Sequence, residues 1–258
     1  MTTFYKLNNI TNYSLKKIKG RITRIFTLEK NKRIRKERRL GMLNELNSKI
    51  KDEYLDYVVK STIDCHSSTI QDTKVSDNVI NNKNAFRLLL EDKDCFLTQE
   101  KIIQVGDLVN ETSPYIPRGY RKIGKYLADT QIPIPEATQI PTEINNLLKE
   151  YQNQDTLGIN IFEQEARFHI AFIRIQPFAD GNKRTARLIL NANLLHKNIA
   201  PVIITEDLLE YYYSYIENYD VEGMENLFRI QSKKQESIIQ EFQRNNGMNL
   251  KNNKTKRR

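Results

Sequence analysis

Apolar residues recur along most of this chain at three- and four-residue steps, which is the spacing of one face of an α-helix. The clearest stripe lies between Arg35 and Ser61, at Leu40, Leu43, Leu46, Ile50 and Tyr54. Thr205, followed by Glu206 and Asp207, predicts another helix start, because its hydroxyl can cap a helix whose dipole favours the two carboxylates. Few stretches alternate apolar and polar residues as a half-buried strand does. The pattern predicts an all-α fold.

Two segments are apolar on nearly every face, Phe168–Ile173 and Leu188–Leu190 with the neighbouring Leu194 and Leu195. Such segments are typical of central, buried helices. A polar stretch, 176–184, separates them, so we expect it to be a loop at the end of the core.

Residues 111–142 have a different character, because five of the seven prolines lie there. Prolines at 133, 135 and 141 exclude a continuous helix, since each lacks the backbone N–H and clashes with the preceding turn. The segment is predicted to be a loop or a short edge hairpin.

Composition places the chain among globular proteins with a substantial core: 258 residues, 39% hydrophobic and 28% charged. No apolar run approaches a membrane span, and the N-terminus lacks the apolar core of a signal peptide. Two cysteines without a C-x-x-C pair and three isolated histidines argue against a disulfide scaffold or a structural zinc site. We expect a cytoplasmic location, with export to a host cell left open.

The net charge of +9 comes from the two ends of the chain. Residues 1–51 carry +12 and residues 244–258 carry +6, which leaves −9 for the part between them. Basic ends favour an acidic partner or nucleic acid. A solvated helix face and a basic tail account for the same charges, and the densest basic stretch, 30–39, has no aromatic residue for base stacking.

The polar break at 176–184 carries the candidate chemistry. Gly181 permits a tight anion-binding turn, and a helix that begins near Asn182 directs its unpaired N–H groups at that turn. Arg184 and Arg187, three residues apart, would supply forked donors for phosphate. Asp180 is a single carboxylate of the kind that holds Mg²⁺ beside phosphates. The alternative is a plain Asp-Gly-Asn turn with solvated arginines.

Residues 176–187, QPFADGNKRTAR, resemble the Fic (Fido) family signature H-P-F-x-[DE]-G-N-G-R-x-x-R. Gly119-Tyr120-Arg121 and 132–135 resemble the family's β-hairpin flap, which positions a target peptide. Residues 66–72 resemble the inhibitory motif [ST]-x-x-x-E-[GN] that some members carry before the core. The resemblance implies a helical bundle with a small β-hairpin flap. Together with the charge distribution, it predicts a basic N-terminal helical extension over 1–54, a Fic domain over 55–232 with an inhibitory-like helix at 60–80, and a C-terminal helix end with a basic tail over 233–258.

The family transfers AMP from ATP to a Ser, Thr or Tyr hydroxyl of a target protein. Carried over to this sequence, the resemblance implies a base position at Gln176 and an Mg²⁺ ligand at Asp180. It implies regulatory positions at Ser67 and Gln71 and a target flap at Gly119, Tyr120 and Arg121. The implied nucleotide contacts are Phe178, which also anchors the loop, and Gly181, Asn182, Lys183, Arg184 and Arg187.

Three departures from the family pattern bear on activity. Gln176 replaces the catalytic histidine, and a carboxamide cannot accept a proton from a hydroxyl. Lys183 replaces the second motif glycine, as in the Doc branch, whose toxin phosphorylates its target. Gln71 replaces the inhibitory glutamate that pairs with the second motif arginine, here Arg187. His169 is expected to be a core residue rather than a substitute base.

Three functions follow from these departures. The first is a nucleotide binder with residual AMP transfer. The second is a Doc-like phosphotransferase of the toxin–antitoxin kind. The third is a pseudoenzyme that serves as an interaction module.

Overall fold

Helices make up most of the residues described in the computed structural model, which are 48–64, 75–91, 97–125 and 132–255. The chain divides into two compact units, Met1–Glu45 and Leu46–Arg258, and the described residues belong to the second. Its helices are α1 (Ser48–Asp64), α2 (Val75–Glu91), α3 (Gln99–Val109), α4 (Ile140–Leu157), α5 (Ile161–Ile175), α6 (Asn182–His196), α7 (Leu209–Glu217) and α8 (Val221–Thr255). Short 3-10 turns at Ala137–Gln139 and Glu206–Leu208 precede α4 and α7.

The helix pair α5 and α6 forms the centre of this unit. Helix α5 packs against α4, α6, α7 and α8, while α6 also packs against α1, α2 and α3. The two segments expected to be central are buried, with Ile170, Phe172, Leu188 and Ile189 fully inaccessible. Each such side chain contributes about 1.5–3 kcal/mol on leaving water. The prediction of an all-α fold with these two helices at its core is confirmed.

Side-chain caps fix the starts of two helices near the site. The Thr98 hydroxyl accepts from the Lys101 N–H (3.2 Å) at the start of α3, and the Asn160 side chain accepts from the Phe162 N–H (3.1 Å) at the start of α5. Thr205 lies where a cap was expected, but it precedes a 3-10 turn and makes no side-chain cap bond. Helix α7 therefore begins later, at Leu209.

The expected β-hairpin flap is not seen in the described parts of 111–136, which contain turns and extended backbone but no strand. One physical reason is that the Arg121 N–H donates to Pro177 O (2.9 Å) instead of to a partner strand. Pro133 and Pro135 have no N–H to offer a ladder.

Ser67 and Gln71, like the basic segment before residue 48, lie outside the described residues. Among the described helices, none combines the length and apolar character that a bilayer crossing requires.

Candidate functional site

The loop between α5 and α6 turns sharply at both ends. Gln176, the C-cap of α5, has left-handed backbone angles (φ 50°, ψ 58°), which are uncommon for a residue with a side chain. Gly181, the N-cap of α6, has φ 78°. A Cβ at Gly181 would lie 2.9 Å from Val109 Cγ1, so both the backbone angle and the close contact require glycine.

The carboxamide of Gln176 is buried and forms hydrogen bonds within the loop. Its Nε2 donates to Ile173 O (2.7 Å), and its Oε1 accepts from Asn182 Nδ2 (3.0 Å). Both ends of the amide therefore have partners, and the side chain links the end of α5 to the start of α6.

Asn182 holds the middle of the loop. Its Oδ1 accepts from the Phe178 N–H (2.8 Å), and its Nδ2 donates to Phe178 O (2.8 Å) as well as to Gln176. The side chain was expected to contact phosphate, but the structure places it inside the loop. Of the groups expected to contact phosphate, this leaves the backbone N–H of Asn182, in the first turn of α6, where no side chain caps the helix.

Phe178 anchors the loop in the core. Its ring packs against Tyr120 (centroid distance 5.9 Å) and Phe172 (6.4 Å), and a Cβ at Gly106 would overlap it, at 2.3 Å from Cζ. Only a glycine in α3 lets the ring approach this closely. The side chain itself is turned into the protein, so it supports the loop rather than facing a ligand.

The carbonyl groups of the loop are bound by residues of the preceding irregular segment. Arg121 donates from Nε to Gln176 O (2.8 Å) and from its backbone N–H to Pro177 O (2.9 Å). Lys125 Nζ donates to Ala179 O (2.7 Å) and, at 3.4 Å, to Phe178 O. Four successive carbonyls thus accept hydrogen bonds from two residues, and the next one, Asp180 O, accepts from Asn110 Nδ2 (3.1 Å).

Arg121 is therefore placed differently from a residue that contacts a target. It is 2% exposed, and its other two nitrogens donate to Ile123 O (2.8 Å) and Pro135 O (2.5 Å). Its neighbour Gly119 (φ 75°) donates its N–H to Asp107 Oδ1 (2.7 Å). The Tyr120 hydroxyl donates to Gln99 Oε1 (3.4 Å). The three residues expected to form a target flap fasten this segment to α3 and to the loop.

Arg184 and Arg187 are both buried at the start of α6, 4% and 3% exposed. The Arg184 guanidinium donates to the Asp180 carboxylate (3.0 Å), to Asn78 Oδ1 (3.3 Å) and to Asn110 Oδ1 (3.4 Å). Burial lowers the pKa of Arg184, and the neighbouring Asp180 opposes that shift. Two buried guanidiniums beside an uncapped helix N-terminus are a site of strong positive potential.

Lys183 directs its ammonium onto an aromatic ring. The Nζ atom lies over the Tyr213 ring of α7, 4.2 Å from its centroid. Burial lowers the pKa of Lys183, and the positive charges of Arg187 and Lys125 lower it further, against the opposing effect of Asp180. The side chain that replaces the second motif glycine packs against α7.

His169 lies in the core, 1% exposed. Its Nε2 is 2.7 Å from the Tyr212 hydroxyl, and its ring meets Phe228 edge-on. Burial, together with the nearby positive charge of Arg187, lowers the pKa of His169 to about 3. A histidine in these surroundings is neutral and packed, and it does not replace the base.

The residues present fit an Mg²⁺ ion that is held mainly by phosphates. The Asp180 side chain is 59% exposed, with Oδ2 on Arg184, so Oδ1 can face an ion. Within the described ranges, no group of three or more His, Cys, Asp and Glu side chains could hold a metal ion. One carboxylate plus nucleotide oxygens and water is a common Mg²⁺ arrangement, because this ion retains several waters.

A groove of about 450 Å³ lies beside Pro133–Pro135, between that segment and helices α4 and α5. Its other walls include Glu143, Glu150 and Tyr219, and no residue of 176–187 lines it. This groove is therefore separate from the loop.

Sequence reasoning missed Asn110 and Lys125. Neither belongs to a motif, and each reaches the loop from a distant part of the chain. The one available signal was that Lys125 lies in the same proline-rich segment as the proposed flap.

The helical fold and this loop define a class: an all-helical protein with a glycine-capped turn between its two central helices. Residues 96–194 match the model of the Fic/DOC family. This part of the chain is therefore similar to the Fic domain.

One curated relative and two solved structures illustrate what the chain is similar to. A probable protein adenylyltransferase of Aquifex aeolicus is 26% identical over 170 residues, which are 58% of this chain and 52% of that protein. The structure is similar to Fic-1 from C. elegans, with a TM-score of 0.62 at 20% identity over 84% of this chain and 73% of that one. It is also similar to IbpAFic2 in complex with adenylylated Cdc42, with a TM-score of 0.54 at 17% identity over 69% and 62%. The chain spans about half the length of the Aquifex relative.

Proposed function

We propose that this protein binds ATP with Mg²⁺ through the 176–187 loop and transfers AMP, slowly, to a hydroxyl of a target protein. The observation that carries the proposal is the paired burial of Arg184 and Arg187 at the glycine-capped, otherwise uncapped start of α6. Arginines beside a helix N-terminus stabilise phosphate oxygens, and burial strengthens each hydrogen bond between a guanidinium and a phosphate. The adenylyltransferase names of the relatives support AMP as the transferred group.

In this reaction the target hydroxyl oxygen attacks the α-phosphorus, the bond to the β-phosphate oxygen breaks, and pyrophosphate leaves. Mg²⁺ bound through Asp180 would neutralise phosphate charge. Arg184 and Arg187 would hold the phosphates, together with the N–H groups of the first turn of α6. The hydroxyl proton goes to solvent, because the Gln176 amide cannot take it and is already hydrogen-bonded within the loop. General-base catalysis is worth about 10²–10⁴-fold, so we expect transfer to be slow by that factor.

Calorimetric titration with Mg-ATP tests the binding step. We expect wild-type protein to bind and Arg184→Met to lose measurable binding, because the guanidinium on Asp180 is gone. Arg87→Met, which removes an exposed arginine of α2, is the matched control and should bind like wild type. Wild-type protein that is folded and takes up no nucleotide contradicts the proposal. It would favour an interaction module on a Fic scaffold.

The position of an isotope label in ATP tests which group is transferred to the target protein. Protein is incubated with a cell lysate and ATP labelled either at the α- or at the γ-phosphorus. Label from the α-position marks AMP transfer, and we expect Gln176→His to increase it by about 10²–10⁴-fold. The double variant Gln176→His/Arg184→Met should lose the increase. Label transferred from the γ-position alone would identify a phosphotransferase, as the Lys183 resemblance to Doc suggested.

A further inference from the structure

Lys125 lies outside every motif, yet its ammonium is hydrogen-bonded to the loop that we propose holds phosphate. It donates to Ala179 O (2.7 Å) and Phe178 O (3.4 Å). These bonds connect a segment that follows α3 with the turn before α6, across more than fifty residues of sequence.

A trans peptide is planar, so the N–H of each residue points opposite to the carbonyl of the residue before it. Because Lys125 holds the carbonyls of Phe178 and Ala179, the N–H groups of Ala179 and Asp180 point away from it. Asn110 fixes Asp180 O in the same manner, which directs the Gly181 N–H away from α3. The side chains of Lys125 and Asn110 thus determine the direction of three successive backbone N–H groups, those of residues 179–181.

We propose that Lys125 is a positioning residue of the phosphate site, acting through the peptide planes of 178–180 rather than by contact with the nucleotide. This inference rests on the proposed function. Lys125 binds the carbonyl side of these peptides, and the anion would bind the N–H groups on their opposite side. Lys125 would therefore control the affinity for the anion without touching it.

The surroundings of Lys125 favour this role over that of a surface charge. Its neighbours Lys122, Ile123 and Gly124 are exposed, whereas Lys125 is partly buried. Burial lowers the pKa of Lys125, and the nearby Asp180 opposes the shift. A flexible stem with three donors suits two carbonyls at once.

Titration with Mg-ATP of four proteins tests the inference: wild type, Lys125→Met, Lys125→Arg and Lys122→Met. We expect Lys125→Met to weaken binding by about tenfold or more, a factor equivalent to one charge-assisted hydrogen bond. Lys125→Arg keeps both charge and donors and should restore most of the affinity. Lys122→Met removes the same charge from an exposed position and should stay within about twofold of wild type.

Amide resonances separate positioning from general loss of structure. In wild type, Mg-ATP should shift the amide signals of Asp180 and Gly181. In Lys125→Met those two signals should differ from wild type before nucleotide is added, while signals of α5 and α8 stay in place.

The possible failures are distinguishable. Wild-type protein that binds while Lys125→Met binds equally well overturns this inference alone. So does a loss of affinity of the same size in Lys122→Met. Wild-type protein that binds no Mg-ATP overturns the proposed function and this inference with it.

Discussion

Two pairs of basic residues surround the loop, and they are held in different ways. Arg121 and Lys125, before the loop in sequence, donate to backbone carbonyls. Arg184, which follows the loop with Arg187, donates to side-chain oxygens of Asn78, Asn110 and Asp180. A side-chain oxygen can rotate away when a phosphate arrives, whereas a loop carbonyl cannot do so without rebuilding the turn.

The comparison teaches that a buried cation beside a phosphate loop is not automatically a phosphate ligand. The partner decides its role: Arg121 and Lys125, on carbonyls, shape the loop, whereas Arg184, on side-chain oxygens, is the residue that we propose holds phosphate. Asn110 belongs to both arrangements, since its Nδ2 binds Asp180 O (3.1 Å) and its Oδ1 accepts from Arg184 (3.4 Å).

The largest effect on stability is expected for Arg121→Met. It removes donors from three carbonyls, those of Gln176, Ile123 and Pro135, and a buried acceptor left without a donor costs about 1–3 kcal/mol. We expect the free energy of unfolding in urea to fall by about 3–5 kcal/mol. Arg118→Met is the control, because this exposed arginine also donates to two carbonyls, of Asp107 and Glu111. Equal losses in the two variants would remove the distinction between a loop-shaping and a surface arginine.

An intermediate effect on the free energy of unfolding is expected for Asn110→Ala. The variant loses bonds to Gly106 O and Asp180 O and the acceptor for Arg184, and we expect a loss of about 1–3 kcal/mol. Mg-ATP affinity should fall as well, because the Gly181 N–H is no longer held in place. Asn146→Ala, at an exposed position of α4, serves as the control in both measurements. Lost stability with unchanged affinity for Mg-ATP would show that Asn110 does not couple the bound loop carbonyls to the arginines at the start of α6.

The smallest effect on stability is expected for Arg184→Met, the variant that should abolish nucleotide binding. The substitution removes the desolvation penalty of a buried cation, and the oxygens that lose their donor belong to side chains that can rotate toward other partners, unlike the carbonyls bound by Arg121. We expect the free energy of unfolding without nucleotide to stay within about 1 kcal/mol of wild type. A loss as large as that of Arg121→Met would place Arg184 among the residues that shape the loop.

The sequence predicted the helical class and the buried pair α5 and α6 because continuous apolar runs have one stable location, the core. It also singled out the polar break between them, where Gly181 and the two arginines lie. The direction in which each side chain points could not be predicted from the apolar pattern. Asn182 and Arg121 looked like ligand contacts, yet their side chains are bound to the loop, since hydrogen bonds between distant segments leave no periodic trace in sequence.

The expected hairpin is not seen in the described residues, for a related reason. Arg121 donates its backbone N–H to Pro177, a partner 56 positions away, and local patterning carries no information about such a choice. Asn110 and Lys125 were missed because they contribute one side chain each from outside any motif.

The left-handed turn at Gln176 has a genetic consequence. The backbone there already holds a conformation in which histidine is enriched among residues with side chains. Glutamine and histidine codons differ only at the third base. A single nucleotide change in the gene would therefore place an imidazole on a backbone already shaped to accept it. The position that aligns with the family's catalytic histidine is thus one point mutation away from carrying a titratable side chain.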